Sequence, residues 1–302
     1  MRVVVALGGN ALLERSERPD ADVQQHHVDA AVEALAPIAA EHELVVTHGN
    51  GPQVGILANE SERDVTLSRP YPFDALGAQT QGMIGYWLLQ SLENALSARS
   101  VAAVVTQTVV DAGDPAFATP SKFVGPMLDA TSARRVARER GWTVRQDDRG
   151  WRRVVPSPTP LEVVELPIVE LLLGRGAVVI CAGGGGVPVV RDPAGRLRGV
   201  EAVVDKDLTA ALLARKLRAD ALVILTDVDA VEADHGTPSA RPLGRVTVPA
   251  LRAMSFPAGS MGPKVEAVCR FVEETGGTGA IGRLAEASLV LAGKVGTLVE
   301  PG

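Results

Sequence analysis

The chain has 302 residues, and 46% of them are hydrophobic, enough to bury a substantial core and to exclude a disordered chain. A formal net charge of -6 and a pI near 5.5 leave no electrostatic footprint for nucleic acid or an anionic membrane, so any bound anion must be captured locally. Two cysteines, Cys181 and Cys269, form neither a disulfide framework nor a C-x-x-C pattern, and no apolar stretch reaches transmembrane length, so a soluble cytoplasmic protein is expected.

Taken in order, the apolar run Arg2–Leu7 reads as a first strand that turns into Gly8-Gly9-Asn10. A second run, Leu44–Thr47, leads into His48-Gly49-Asn50-Gly51, and an apolar helix is expected over Met83–Leu96. Val101–Val110 reads as one strand. Between Asp111 and Pro160 the chain is punctuated by prolines and encloses two strand-like pieces, Trp142–Gln146 and Trp151–Val155, which reads as an inserted flap over about residues 112–160. Ala177–Cys181 precedes the four glycines Gly183 to Gly186, a helical pattern covers Leu208–Leu217 after Asp205-Lys206-Asp207, and Ala221–Thr226 reads as a further strand. Glu232 to Pro242 reads as a surface loop. Strands alternating with helices predict an α/β fold with a parallel sheet covered on both faces, whose ligands bind at the carboxyl ends of the strands.

The glycine clusters lie at those ends. One such pair is an ordinary tight turn, but two of them, joined by a four-glycine run, favour an anion held by backbone N–H groups and helix N-termini. Neither a Walker A sequence nor G-x-G-x-x-G after the first strand is present, so the common nucleotide folds are not supported. Three lysines stand out from an arginine-rich background, Lys122 in the flap, Lys206 between Asp205 and Asp207, and Lys264 in Gly259-Ser260-Met261-Gly262-Pro263-Lys264. A lysine in such a loop suits a compact charge clamping a phosphoryl group. The two aspartates could orient that ammonium or cap the following helix. Thr226-Asp227 is equally a polar turn or a rest for a nucleoside. The five histidines show no metal-ligand spacing, His48 reads as structural, and no G-x-S-x-G elbow supports hydrolase chemistry.

In series, Ala6-Leu7-Gly8-Gly9-Asn10-Ala11, Thr47 to Gln53, Thr80-Gln81-Gly82-Met83-Ile84-Gly85-Tyr86-Trp87, Gly150 to Pro158, Cys181 to Val189, Val200 to Asp207 and Gly259 to Ala267 closely resemble the carbamate kinases of the amino acid kinase superfamily. The resemblance implies a three-layer αβα sandwich with an open, mostly parallel sheet. In it, residues 1–200 would form the carbamate or carbamoyl phosphate lobe, carrying the flap, and residues 201–302 the nucleotide lobe. It implies a place in arginine metabolism, a homodimer, ATP or ADP as substrate, and Mg²⁺ bound mainly through nucleotide phosphates. By motif, Gly8, Gly9, Asn10, Gly49, Asn50 and Gly51, with Gly184 and Gly185, resemble the substrate cradle. Lys206 and Lys264 resemble the lysines facing the nucleotide phosphates, Asp207 the carboxylate organising them, and Lys122 the flap lysine that closes over substrate. Thr226, Asp227 and Met261 fall where family members contact the nucleoside. Ala6 stands where acetylglutamate and aspartate kinases often carry lysine.

Two departures concern geometry. Phe123 follows the flap lysine where proline is common, and Gly279–Arg283 is poorer in β-formers than the family's strand, which leaves a sheet edge weak. The alternatives are another kinase of the superfamily and a silent nucleotide-binding regulator, the latter disfavoured because all three lysines are present.

Overall fold

The valine-rich run at the N-terminus has branched side chains on both faces, the composition of a strand buried on both sides, and the whole sheet is built outward from it. The computed structural model describes residues 1–13, 17–147, 150–257 and 259–302. The main sheet comprises β1 (Arg2–Leu7), β2 (Glu43–His48), β3 (Val101–Ala103), β4 (Val178–Ile180), β5 (Ala221–Thr226), β6 (Arg245–Thr247), β7 (Thr278–Arg283) and β8 (Thr297–Glu300). Their spatial order is β6-β8-β7-β5-β1-β2-β4-β3, parallel except where β7 meets β8.

The long helices around this sheet are α1 (Ala21–Glu41), α2 (Gly51–Arg63), α3 (Phe73–Ala95), α4 (Lys206–Lys216) and α5 (Met261–Thr275), of which α2 packs on α3 and the Lys122–Leu128 strand rather than on the sheet. The strand period of two divides the core. Val4, Ala6, Val45, Leu222 and Ile224 pack against Leu213 of α4 and Phe271 of α5. Val3, Val5, Leu44, Val46 and Val223 pack against Leu35 of α1 and Leu88 of α3. The result is the expected α/β sandwich of three layers. Because β5 lies between β1 and β7, residues from both halves of the chain share one sheet.

The structure corrects several expected element boundaries. Val101–Val110 is two strands, since only Val101–Ala103 joins the main sheet, while Gln107–Val110 enters a separate four-stranded sheet with Pro160–Val163, Val187–Arg191 and Leu197–Gly199. Between them the Gln81 side chain replaces the ladder, accepting from Thr106 N at 3.0 Å and donating to Thr106 O at 3.1 Å. The flap has three strands, Lys122–Leu128, Gly150–Val155 and Val144–Asp147, plus the helix Ala130–Arg140. The stretch Glu232 to Pro242 contains a minimal hairpin, Glu232–Ala233 against Arg241–Pro242.

The glycine-rich strand β7 is no weak edge, for it pairs with β5 on one side and β8 on the other. A β-carbon on Gly279 would overlap Val268 of α5, and one on Gly282 would lie 2.6 Å from Val290, so close helix packing explains the glycines. The apolar face expected on Met83–Leu96 is mostly spent inward through Ile84, Leu88 and Leu92, while Tyr86 is exposed. Among the described residues no helix is long and apolar enough to cross a membrane.

Candidate active site

The carboxyl ends of β1, β2 and β5 meet at the glycine turns. Gly8 N–H donates to Leu225 O at 2.8 Å and Gly49 N–H to Leu7 O at 3.0 Å, which continues the ladder into both turns. There the two backbones touch: a β-carbon on Gly49 would lie 2.7 Å from Gly9 Cα and N. Gly51 opens α2, whose N-terminus has neither a side-chain cap nor an acidic residue in its first turn. Its first N–H groups have no acceptor within the helix, the arrangement that lets a helix N-terminus take an anion. The side chain of Asn10 lies outside the described residues.

A third turn closes the cradle. Gly184 and Gly185 have φ of 63° and 91°, conformations that favour glycine. The space a Gly184 β-carbon would take is filled by the Asn50 side chain, and that of Gly185 by Val204 O at 2.6 Å. Asn50 Nδ2 donates to Thr80 Oγ1 at 2.8 Å, so its amide is a buried brace under the glycines. The hydroxyls of Thr108 and Thr209 both donate to Gly185 O, at 2.8 and 3.0 Å. Burial pulls the His48 imidazole down to about 4, and the neutral ring donates from Nδ1 to Gly49 O at 3.0 Å. His48 is therefore structural.

Two of the expected lysines meet where α4 and α5 begin. Lys206 Nζ donates to Asp207 Oδ1 at 2.6 Å, and Lys264, in the first turn of α5, donates to Asp207 Oδ2 at 2.9 Å. Burial raises the Asp207 carboxyl, but the two ammonium groups outweigh it and hold it well below the ordinary carboxylate range. Burial lowers the Lys206 ammonium, which Asp207 only partly restores. The cluster holds two cations against one carboxylate and so carries an uncompensated positive charge in a nearly dry setting. Such a site strengthens any bond to an incoming phosphate.

Lys122 reaches the same helix from the flap. Its Nζ donates to Asp205 Oδ2 at 2.8 Å, while Asp205 Oδ1 caps α4 by accepting from Asp207 N at 2.9 Å and Leu208 N at 3.3 Å. Thr226 ends β5 beside Gly8, its Cα 3.7 Å from where a Gly8 β-carbon would stand, and its hydroxyl donates to Asp227 at 3.0 Å. Met261 begins α5 and packs against the core under α4. The structure thus brings Lys206 and Lys264 together on Asp207, sets Lys122 on the neighbouring Asp205, packs the turns of Gly9 and Gly49 against each other, and places Thr226 beside Gly8. Among the described residues no group of three His, Cys, Asp or Glu is placed to hold a metal ion.

The amino acid kinase family model matches residues 1–281. A carbamate kinase of Rhizobium meliloti is 51% identical over 302 residues, covering 99% of this chain and 93% of its own, and one from Haemophilus influenzae is 45% identical, covering 99% and 96%. The solved structure of carbamate kinase from Giardia lamblia bound to AMP-PNP superposes with a TM-score of 0.92 at 39% identity, covering 100% of this chain and 98% of that one. The chain belongs to the carbamate kinases of the amino acid kinase family.

Within this carbamate kinase framework the residue sequence reasoning undervalued is Asp205, noted only as a cap or an orienting carboxylate beside Lys206. Its flap partner lies 83 positions away, so no local signal could pair them. Thr80 and Gln81 belong to a motif but carried no expected role. Their signal is the pair of amide-capable side chains, Asn50 and Gln81, facing glycine loops.

Proposed function

We propose that the chain catalyses reversible phosphoryl transfer between ATP and carbamate, giving ADP and carbamoyl phosphate, and works physiologically toward ATP. The observation that carries this reading is the Lys206–Asp207–Lys264 cluster at the start of α4, the helix whose Thr209 hydroxyl donates to Gly185 O of the third glycine turn. Phosphoryl transfer needs alignment and neutralisation of charge spread over the phosphoryl oxygens more than it needs a base. A carbamate oxygen is already anionic, which accords with a neutral, buried His48.

In this reading residues 1–200 hold the carbamate or carbamoyl phosphate and residues 201–302 the nucleotide. The backbone N–H groups of Gly9, Asn10, Asn50 and Gly51, with that of Gly184, cradle the transferred group, while the Gly185 N–H donates to Ala182 O at 3.0 Å and holds the third turn in shape. Lys206 and Lys264 bind phosphoryl oxygens, Asp207 keeps both lysines aimed, and Thr226, Asp227 and Met261 border the nucleoside. Lys122 closes on the substrate from the flap. Asp205 and Asp207 direct their side-chain oxygens to lysines and backbone N–H groups, so Mg²⁺ is assigned to the nucleotide phosphates themselves.

The enzyme is proposed to be cytoplasmic, to serve arginine metabolism and to be a homodimer. The dimer reading rests on the open edge of β3 beside exposed Tyr86 and Val105, which flank a cleft of about 250 Å³. A monomeric mass by light scattering at micromolar concentration would refute it. The decisive experiment for the reaction is a coupled assay of ATP formation from ADP and carbamoyl phosphate. Faster turnover of acetylglutamate or aspartate with ATP would overturn the substrate assignment.

A further inference from the structure

The flap meets the rest of the molecule on α2, where Gly55 faces Gly125 and Glu62 pairs with Arg140 at 3.3 Å, and along residues 200–205, a segment that runs directly into α4. An apolar patch of Val124 and Val155 from the flap packs with Val54 and Phe73, with Val203 of the segment against it. Val203 N–H also donates to Pro156 O at 3.0 Å. Two carboxylates at the ends of the segment share one design. Glu201 accepts the first N–H of α3, from Phe73, at 3.0 Å with one oxygen and holds Arg153 of the flap at 2.7 Å with the other. Asp205 caps α4 with one oxygen and holds Lys122 with the other.

The second clasp is the informative one. A cation beside a helix N-terminus is disfavoured by the helix dipole. Lys122 nevertheless ends at the start of α4, where the free oxygen of Asp205 offsets that penalty. That oxygen is not required for the cap, since Oδ1 alone accepts both N–H groups. Asp205 is also one residue from Lys206, so the flap lysine is delivered to the edge of the phosphate-facing cluster. We propose that Asp205 is a positioning residue for the reaction: its second carboxylate oxygen brings Lys122 to the cleft. This rests on the proposed role of Lys122 in phosphoryl transfer.

The test uses Asp205→Asn, which keeps a capping oxygen, with Asp205→Ser as a second capping variant, together with Lys122→Ala and the double variant Asp205→Asn/Lys122→Ala. ADP binding is measured by calorimetry and ATP formation by steady-state kinetics. The expected result is a fall of about tenfold or more in kcat for each Asp205 variant, with ADP Kd unchanged within about twofold. The double variant should be no slower than Lys122→Ala, because the two residues act as one unit. A role confined to capping would leave kcat near wild type in both Asp205 variants and would overturn the proposal. So would multiplicative losses in the double variant, or a weakened ADP Kd, which would tie Asp205 to the nucleotide helix alone. Near wild-type turnover of Lys122→Ala would sink the reading of Lys122 and this proposal together. A slow Lys122→Ala beside fast Asp205 variants would sink the proposal and spare that reading.

Discussion

Lys206 and Lys122 both donate to an aspartate at the start of α4, yet their side chains are 11% and 39% exposed. The buried one shares its carboxylate with Lys264 and is held on a helix of the core. The half-exposed one arrives from a separate small sheet that packs on α2 and Phe73 and not on the main sheet. A buried charge fixed by the fold is available at all times to stabilise a transition state. An exposed one can be recruited only when its carrier docks, and its ion pair contributes little to stability. The sharpest way to break this contrast is to remove the shared carboxylate. Asp207→Asn leaves two buried ammonium groups without their counter-ion and should cost about 3–5 kcal/mol of unfolding free energy, along with turnover. Urea denaturation of the variant checks this, and a loss below about 1 kcal/mol would show that the lysines simply relax into solvent.

The next effect should fall on rate alone. Lys264→Ala leaves Asp207 paired with Lys206 at 2.6 Å, so the fold should persist. It removes one preorganised donor, typically worth about 10²–10³ in rate or about 3–4 kcal/mol. Single-turnover kinetics with circular dichroism separate the two readouts. Equal losses in stability and rate would mean that the cluster is structural.

The same contrast shows what could be read in advance. The core strands were legible because a parallel strand buried on both faces must be a continuous run of Val, Leu and Ile, as in Val3-Val4-Val5. The lysines of the cluster were legible because they sit in glycine or aspartate sequences. The flap was harder: Lys122–Leu128 contains Gly125 at φ 70° and Pro126, both of which argue against a strand, yet it pairs with Gly150–Val155 across a shift in register. The pairings Lys122–Asp205 and Arg153–Glu201 depend on how the flap folds back over the sheet, and nothing local in the sequence encodes that. Glycines in β7 misled for a related reason, since they answer to Val268 and Val290 and not to strand propensity.

The buried face of the site also carries a pH signature that the flap should lack. His48 has an ordinary value of 6.5 and is held at about 4 by burial. A base with a lowered folded value contributes its full stability above 6.5, and that contribution is lost as pH falls toward 4, because the unfolded chain takes up the proton first. At about 1.4 kcal/mol per pH unit the loss amounts to about 3 kcal/mol by pH 4. Unfolding free energies measured from pH 7 to 4.5 should therefore fall less steeply for His48→Asn than for the wild type. Parallel slopes would show that His48 is protonated, or solvated, in the folded state.

The smallest effect should come from the other clasp. Glu201 is 45% exposed at its side chain, so its pair with Arg153 at 2.7 Å should contribute only about 0.5–1 kcal/mol. Arg153 has further support, because its guanidinium lies 4.1 Å from the Trp142 ring centroid and 4.8 Å from that of Phe73. Glu201→Gln retains an oxygen for the Phe73 N–H and should leave α3 in place. The flap strand Gly150–Val155 should then open about two- to fivefold more often, seen as faster amide hydrogen exchange confined to the flap. Lys122 keeps its own partner in this variant, so the fall in kcat should be smaller than for Asp205→Asn. Faster exchange across α3 as well would mean that Glu201 matters as a helix cap, whereas unchanged exchange in the flap would leave the aromatic stacking of Arg153 as the contact that seats it.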